Sequence, residues 1–155
     1  MKSLEQAREF FAQAPFVVDL GIEAMGVGEG WCETRLAVGP RHLQHTGQVH
    51  AGVVTTLADH TAGAAAQSTL PAGSLAITAE LKVSLLRATR GRALTCRGVV
   101  IKSGRSLVFA EAEVHAHDDT RPGEKPVLVA KLSATLAVVP DRRPEAAAPP
   151  VAEAP

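Results

Sequence analysis

The chain has 155 residues, which suits one domain, and its 16 Lys+Arg balance 16 Asp+Glu, so no basic excess draws it to nucleic acid or an acidic membrane surface. No apolar run reaches the ~18–20 residues of a membrane span, no apolar signal core follows Lys2, and two cysteines, Cys32 and Cys96, make neither a C-x-x-C pair nor a disulfide framework. A reduced, cytoplasmic setting is expected. Aromatics are only 3% with no Tyr, so the core must be built from Val, Leu, Ile and Ala, which argues against stacking platforms and aromatic cages.

Ser3 to Ala14 reads as an amphipathic helix, with Ser3 as N-cap, Leu4, Ala7, Phe10, Phe11 and Ala14 at helical spacing, and Pro15 as its end. Two strand-like runs follow, Leu20–Val27 and Trp31–Val38, joined by a hairpin turn at Gly28-Glu29-Gly30. Pro40 closes this unit, and Arg41–Gln48 is a polar loop. Val49 to Leu70 consists of small or apolar residues all round except for His50, Asp59, His60, Gln67 and a few hydroxyls. Such a helix must be buried on every side. Pro71 and Gly73 stop it.

The remainder alternates with period two, the mark of half-buried strands. Leu75, Ile77, Ala79, Leu81, Val83 and Leu85 form one face of the next strand, and Thr78, Glu80, Lys82 and Ser84 the other. Leu94–Lys102, Ser106–His117 and Val127–Val139 are three further strands, with a tight turn at Ser103-Gly104 and a loop at Asp118–Pro126. Residues 1–140 make a single domain, and the Pro/Ala-rich tail 141–155 is expected to be disordered. Successive hairpins give an antiparallel sheet of about six strands, and the apolar helix needs cover on several sides. A strongly curved sheet wrapped around that helix, an α+β fold with a short N-terminal helix added, meets both needs.

Asp59 sits on a helix with almost no other charge. Burying an ionised carboxylate without partners is costly, and desolvated acids are enriched at active sites; an internal cap or ion pair is the structural alternative. His50 opens the same helix, whose first-turn N–H groups, from about Ala51 to Val53, suit an oxyanion. The two residues are nine positions apart, which places them about 13 Å apart on opposite faces. They cannot face one pocket within a single chain, so joint action requires a site between two subunits.

The pattern Gln44-x5-His50-Ala51-Gly52-x6-Asp59, on a long buried helix followed by four strands, resembles the hot-dog-fold acyl-CoA thioesterases. It is most similar to the phenylacetate-pathway (PaaI-like) group, related to 4-hydroxybenzoyl-CoA thioesterase, over roughly residues 15–140. The resemblance implies that Asp59 is the catalytic carboxylate, nucleophile or general base on water. It implies that His50 and the Ala51 N–H polarise the thioester carbonyl, that Gln44 positions substrate or water, and that Thr78 orients the nucleophile. The turn Lys102-Ser103-Gly104-Arg105 resembles a segment lining the coenzyme A groove; Arg87, Arg90 and Arg92 flank another connection and read singly as surface charge. Many relatives have Gly where this chain has Ala51. One branch carries Thr one turn after its acid; here that position is Gly63, which leans toward the PaaI-like branch.

The expected function is hydrolysis of an aryl-, short- or medium-chain acyl-CoA by a homodimer or homotetramer, with coenzyme A only as part of the substrate and no metal or organic cofactor. His42, His45, His50 and His60 lack metal-ligand spacing, and Ser84 and Ser106 lack a His–acid signature. The alternatives are a non-catalytic acyl-CoA-binding module, which would tend to lose Asp59, and a hot-dog hydratase or dehydratase, whose Asn and Pro between acid and histidine are missing.

Overall fold

In the computed structural model, which describes residues 1–118 and 125–142, the chain opens with α1 (Leu4–Ala12). The Ser3 hydroxyl accepts the Gln6 N–H at 3.2 Å, satisfying one orphan donor of the first turn. The first helix stops short of Pro15 as expected, but Pro15 opens a second helix that the sequence reading did not include. It is the first residue of α2 (Pro15–Leu20), where its missing N–H has no helical acceptor to lose, and Gly21 closes that helix at φ +72°. The first strand is correspondingly shorter than its apolar run.

The hairpin β1 (Ile22–Gly28) and β2 (Trp31–Ala37) leads through a 3-10 turn at Pro40–His42 into α3 (Ala51–Ser68). Then come β3 (Ser74–Leu85), β4 (Ala93–Ser103), β5 (Leu107–His117) and β6 (Val127–Pro140). All pairings are antiparallel, in the order β1-β2-β4-β5-β6-β3. The expected curved six-strand sheet is present. Most of the expected Asp118–Pro126 loop (119–124) and of the expected tail (143–155) lies outside the described residues. No helix among the described residues is long and apolar enough to cross a membrane.

The sheet wraps α3, which touches all six strands. Leu57, Ala58, Thr61, Ala62, Ala64, Ala65 and Ala66 have no exposed surface. Full burial of a side chain such as Leu57 stabilises the fold by about 1.5–3 kcal/mol. Helix and sheet approach tightly at Gly98 of β4: a Cβ there would stand 2.8 Å from the Thr61 carbonyl oxygen and 3.1 Å from the Ala62 Cα. Only glycine permits that approach. Thr61 meets its own polar needs nearby, donating to the Leu57 carbonyl at 2.6 Å and sharing a 2.6 Å hydrogen bond with the Thr34 hydroxyl.

One strand departs from its apparent alternation. Thr78 pairs with Leu136 and Glu80 with Thr135, so Ala79 is an extra, bulged residue. The bulge exchanges the faces. Ala76 and Thr78 point toward α3 together with Leu81, Val83 and Leu85, whereas Leu75 and Ile77 lie on the outer face with Glu80 and Lys82. Placing Ile77 with Leu81 was therefore wrong by one bulge.

The helix α1 covers α3 through aromatic contacts with His60, the Phe11 and Phe10 centroids lying 4.4 and 6.0 Å from its ring. His60 Nε2 is buried without a hydrogen-bond partner among the described residues, and burial pushes the ring pKa down to about 4.

Two stability predictions follow. Gly98→Ala drives a methyl into helix backbone and should cost about 1–3 kcal/mol, read as a lower urea midpoint at unchanged slope. An unchanged midpoint would contradict this packing. For His60, the unfolded ring takes a proton below about 6.5 but the folded ring resists to about 4. Its stabilisation is complete above pH 6.5 and is lost as pH falls from 6.5 toward 4, on the order of 3 kcal/mol at most. A His60→Leu chain should lack that component of the acid-side decline; parallel stability–pH curves would refute it.

Candidate active site

The approach to α3 is tied down residue by residue. The His50 N–H donates to the His42 carbonyl at 2.8 Å, Val49 to the Thr89 carbonyl at 3.0 Å, and Gln44 to the Gln48 carbonyl at 2.8 Å. His42 is a buried pin rather than a metal ligand. Its Nδ1 accepts the Gly39 N–H at 2.9 Å, which leaves the proton on Nε2 to donate to the Leu20 carbonyl at 3.0 Å. Burial holds its pKa down, partly offset by the Leu20 carbonyl, with Arg41 adding to the lowering. No group of three or more His, Cys, Asp or Glu among the described residues is arranged to hold a metal ion.

His50 caps α3 with its own ring: Nδ1 accepts the Gly52 N–H at 2.9 Å. This fixes the neutral tautomer with the proton on Nε2, an outward-facing donor on an exposed residue. Gly52 makes room for the ring, since a Cβ there would stand 3.0 Å from Nδ1 and 3.3 Å from Cε1. The Val53 N–H is used by the His50 carbonyl at 3.0 Å. Of the donors expected between Ala51 and Val53, Gly52 and Val53 are thus occupied, and Ala51 alone has no acceptor among the described residues. Gly52 supports the site by orienting His50.

Beside this helix tip is a hollow of about 400 Å³ lined by Gln44, Ala51, Val54, Leu85, Leu86 and Arg87, among others. The Gln44 amide nitrogen donates to the Thr46 hydroxyl at 2.8 Å. Arg87 was read from sequence as surface charge, yet the fold brings it to the same hollow as Ala51. The available signal was charge spacing, because residues 81–110 contain no Asp or Glu.

Asp59 stands elsewhere on α3, half-buried. The Thr78 hydroxyl donates to its Oδ1 at 2.9 Å, and the bulge at Ala79 is what turns Thr78 inward. Desolvation raises the Asp59 pKa above its ordinary value, and the Thr78 hydrogen bond partly opposes that rise. No cation pairs with it among the described residues. The result is an acid that is desolvated, oriented and uncommitted.

Asp59 and Thr78 do not line the hollow that holds Gln44 and Ala51. The Lys102-Ser103-Gly104-Arg105 turn is further away. The Ser103 hydroxyl lies 3.0 Å from that of Thr69, just past the C-terminal end of α3, which spans about 27 Å from the His50 end. Gly104 closes this turn by donating to the Leu107 carbonyl at 2.9 Å. Cys32 and Cys96 are buried thiols with pKa pushed up to about 12, mainly by desolvation, and are unsuited to nucleophilic work.

Residues 46–122 match the Thioesterase superfamily. A Haemophilus influenzae protein named as an esterase is 28% identical over 103 residues, 66% of this chain and 75% of that protein. A solved thioesterase family protein from Silicibacter pomeroyi is 29% identical and superposes with a TM-score of 0.82 over 88% of this chain and 97% of its own. A Haemophilus influenzae thioesterase structure is 26% identical, with a TM-score of 0.78 over 90% and 92% of the two chains.

The carboxylate makes its own prediction. Carbon-detected NMR should find Asp59 titrating above the usual carboxylate range of about 3.5–4. Thr78→Val removes a donor to the charged form and should move the midpoint higher still. A midpoint that falls in the variant would refute the assigned balance.

Proposed function

We propose that this chain, which carries a thioesterase superfamily domain, hydrolyses acyl-CoA thioesters at a site shared by two protomers. The observation that carries the reading is the division of labour along α3: an uncommitted, Thr78-held carboxylate at mid-helix and two free donors at the tip, on faces that one chain cannot bring together. The sheet order leaves β3 as an edge strand, with Leu81, Leu85 and Leu86 exposed along and just beyond it. Edge-to-edge pairing of two β3 strands would continue the sheet and set Asp59 of one protomer opposite the partner's helix tip.

The chemistry then follows. A thioester carbonyl has little resonance protection, so two donors and a base suffice. The Ala51 N–H and the His50 Nε2–H receive the carbonyl oxygen, and their bonds strengthen as it becomes an oxyanion. Asp59 either takes a proton from water as that water attacks, or attacks directly to give an anhydride that water then cleaves. Collapse of the tetrahedral adduct breaks the C–S bond, and the thiolate leaves to be protonated. No metal or organic cofactor takes part in this route.

Aliphatic lining by Val54, Leu85 and Leu86 suits an aryl, short or medium acyl group. The phosphates of coenzyme A are assigned to cationic connections: Arg87 beside the oxyanion end, and the Lys102-Ser103-Gly104-Arg105 turn at the other end of the helix. Gly63, where another branch has Thr, supports placement near the PaaI-like group.

Released thiol can be followed over an acyl-CoA panel. Asp59→Asn should lower kcat by at least about 10²-fold, and His50→Ala by about 10²–10³-fold, with the fold intact. Mixed chains of His50→Ala and Asp59→Ala should regain activity, because each heterodimer holds one complete site. No recovery after proven subunit exchange would overturn the shared site, and an active Asp59→Asn enzyme would overturn the chemistry.

A further inference from the structure

The helix α3 holds two glycines, Gly52 and Gly63, and only the first has a reason within this chain. Gly52 makes room for the His50 ring. Gly63 stands in the helix interior between Ala62 and Ala64, where glycine is less favourable than alanine because it gives up more backbone freedom on folding. Crowding does not explain it. Beyond the helix's own backbone, a Cβ at Gly63 would meet one atom within 4 Å, Leu136 Cδ2, at an ordinary contact distance of 3.9 Å. What the missing side chain makes room for therefore comes from outside the chain.

The space beside Gly63 has a fixed frame. Asp59, Gly63 and Gln67 follow one another four residues apart on the half-buried side of α3 that faces β3. At one end the Thr78 hydroxyl donates to Asp59 Oδ1 at 2.9 Å. At the other, the Gln67 amide nitrogen donates to the Ser74 carbonyl at 2.9 Å, and its oxygen accepts the Ala76 N–H at 3.0 Å. These ties fasten the edge strand to the helix on either side of Gly63, and the inward residue of β3 next to Thr78 is Ala76, itself small. The gap over the glycine is thus preformed, with the Ala76 methyl and the Leu136 side chain as apolar walls.

Four residues at about 1.5 Å each put Gly63 about 6 Å past Asp59 along the helix. In the shared site Asp59 meets the thioester carbonyl beside the partner's helix tip. Going forward on one of two antiparallel helices runs backward on the other, so Gly63 lies opposite the loop that precedes that tip. That loop lines the hollow at the tip through Gln44 and Gln48. The hollow and the gap over Gly63 then form one continuous space.

We propose that Gly63 is the specificity-determining residue for acyl size: the distal carbons of the acyl group enter the gap between Asp59 and Gln67. The proposal rests on the shared-site thioesterase reading of the preceding subsection. An acetyl or propionyl group ends short of Gly63, whereas a hexanoyl chain or a benzoyl ring reaches it. Apolar walls take hydrocarbon there rather than a charged acyl end.

The test is kcat/KM by thiol release on the full chain, over acetyl-, propionyl-, butyryl-, hexanoyl- and benzoyl-CoA. Gly63→Val should lower the hexanoyl-to-propionyl ratio of kcat/KM at least about thirtyfold, and the benzoyl-to-propionyl ratio with it. Gly63→Ala, which suits a helix better than β-branched valine, should shift both ratios the same way by less, and should raise the urea midpoint because a methyl fits. Unchanged ratios in the folded variants would overturn the proposal, and so would a lower midpoint for Gly63→Ala. An equal loss on every acyl-CoA, with a weakened dimer in sedimentation velocity, would overturn it too, because the space would then belong to the partner chain. Each of these results leaves the shared site standing. A wild type that hydrolyses no member of the series would overturn the thioesterase reading and the acyl gap together.

Discussion

The contact between Gly98 and the backbone of Thr61 and Ala62 is the constraint from which the rest of the molecule takes its geometry. Most helices meet a sheet through interleaved side chains and tolerate a change of one methylene by shifting slightly. Here the closest atoms are backbone on the helix side, and a Cβ on the strand would have to pass within 2.8 Å of a carbonyl oxygen. The alanines that follow, Ala62 and Ala64–Ala66, keep the spacing small along the second half of α3. Thr61 would be a costly polar group in such a place, but its hydroxyl is satisfied by Thr34 and the Leu57 carbonyl. A helix fixed this closely cannot roll, and the direction of every functional side chain on it is set with it.

That rigidity gives the carboxylate its character. Asp59 is drawn from water by the packing of α3 against the sheet, which favours its neutral form, while one hydroxyl from β3 favours the charged form. A cation in contact would bring the pKa down and quench the group as a base or nucleophile. A fully dry pocket would leave it protonated near neutrality. Half-burial with a single neutral donor lies between these limits. The helix tip is built by a different device: a side chain acts as cap, and the capping bond itself decides which imidazole nitrogen carries the proton.

Much of this could be read in the sequence, for reasons visible in particular residues. A helix without a polar face demanded cover on several sides, and helical arithmetic alone set Asp59 and His50 on opposite faces. Pro15 and Gly21 carried the marks of a short helix over Pro15–Leu20, but six residues are too few to show a helical period, and Leu20 was read into the strand that follows. Two features could not be read, each because it depends on a bond rather than a pattern. The first-turn N–H groups looked equivalent until the ring of His50 chose Gly52. Leu75 to Leu85 alternated without a flaw, and the ladder with β6, not the strand itself, made Ala79 the extra residue.

That extra residue joins two properties that would otherwise be independent. Upstream of Ala79 the even-numbered positions face α3; downstream the odd-numbered ones do. Without the bulge, keeping Leu81, Val83 and Leu85 toward the helix would turn Ile77 inward and Thr78 outward. Asp59 would then lose its donor, and Ile77 would no longer be exposed on the outer face. With the bulge, consecutive residues of one edge strand face opposite sides of the sheet: Thr78 holds the carboxylate and Ile77 stands exposed on the outer face. The same register shift therefore governs both the donor to Asp59 and the outward exposure of Ile77, and no substitution of either side chain alone can reproduce it.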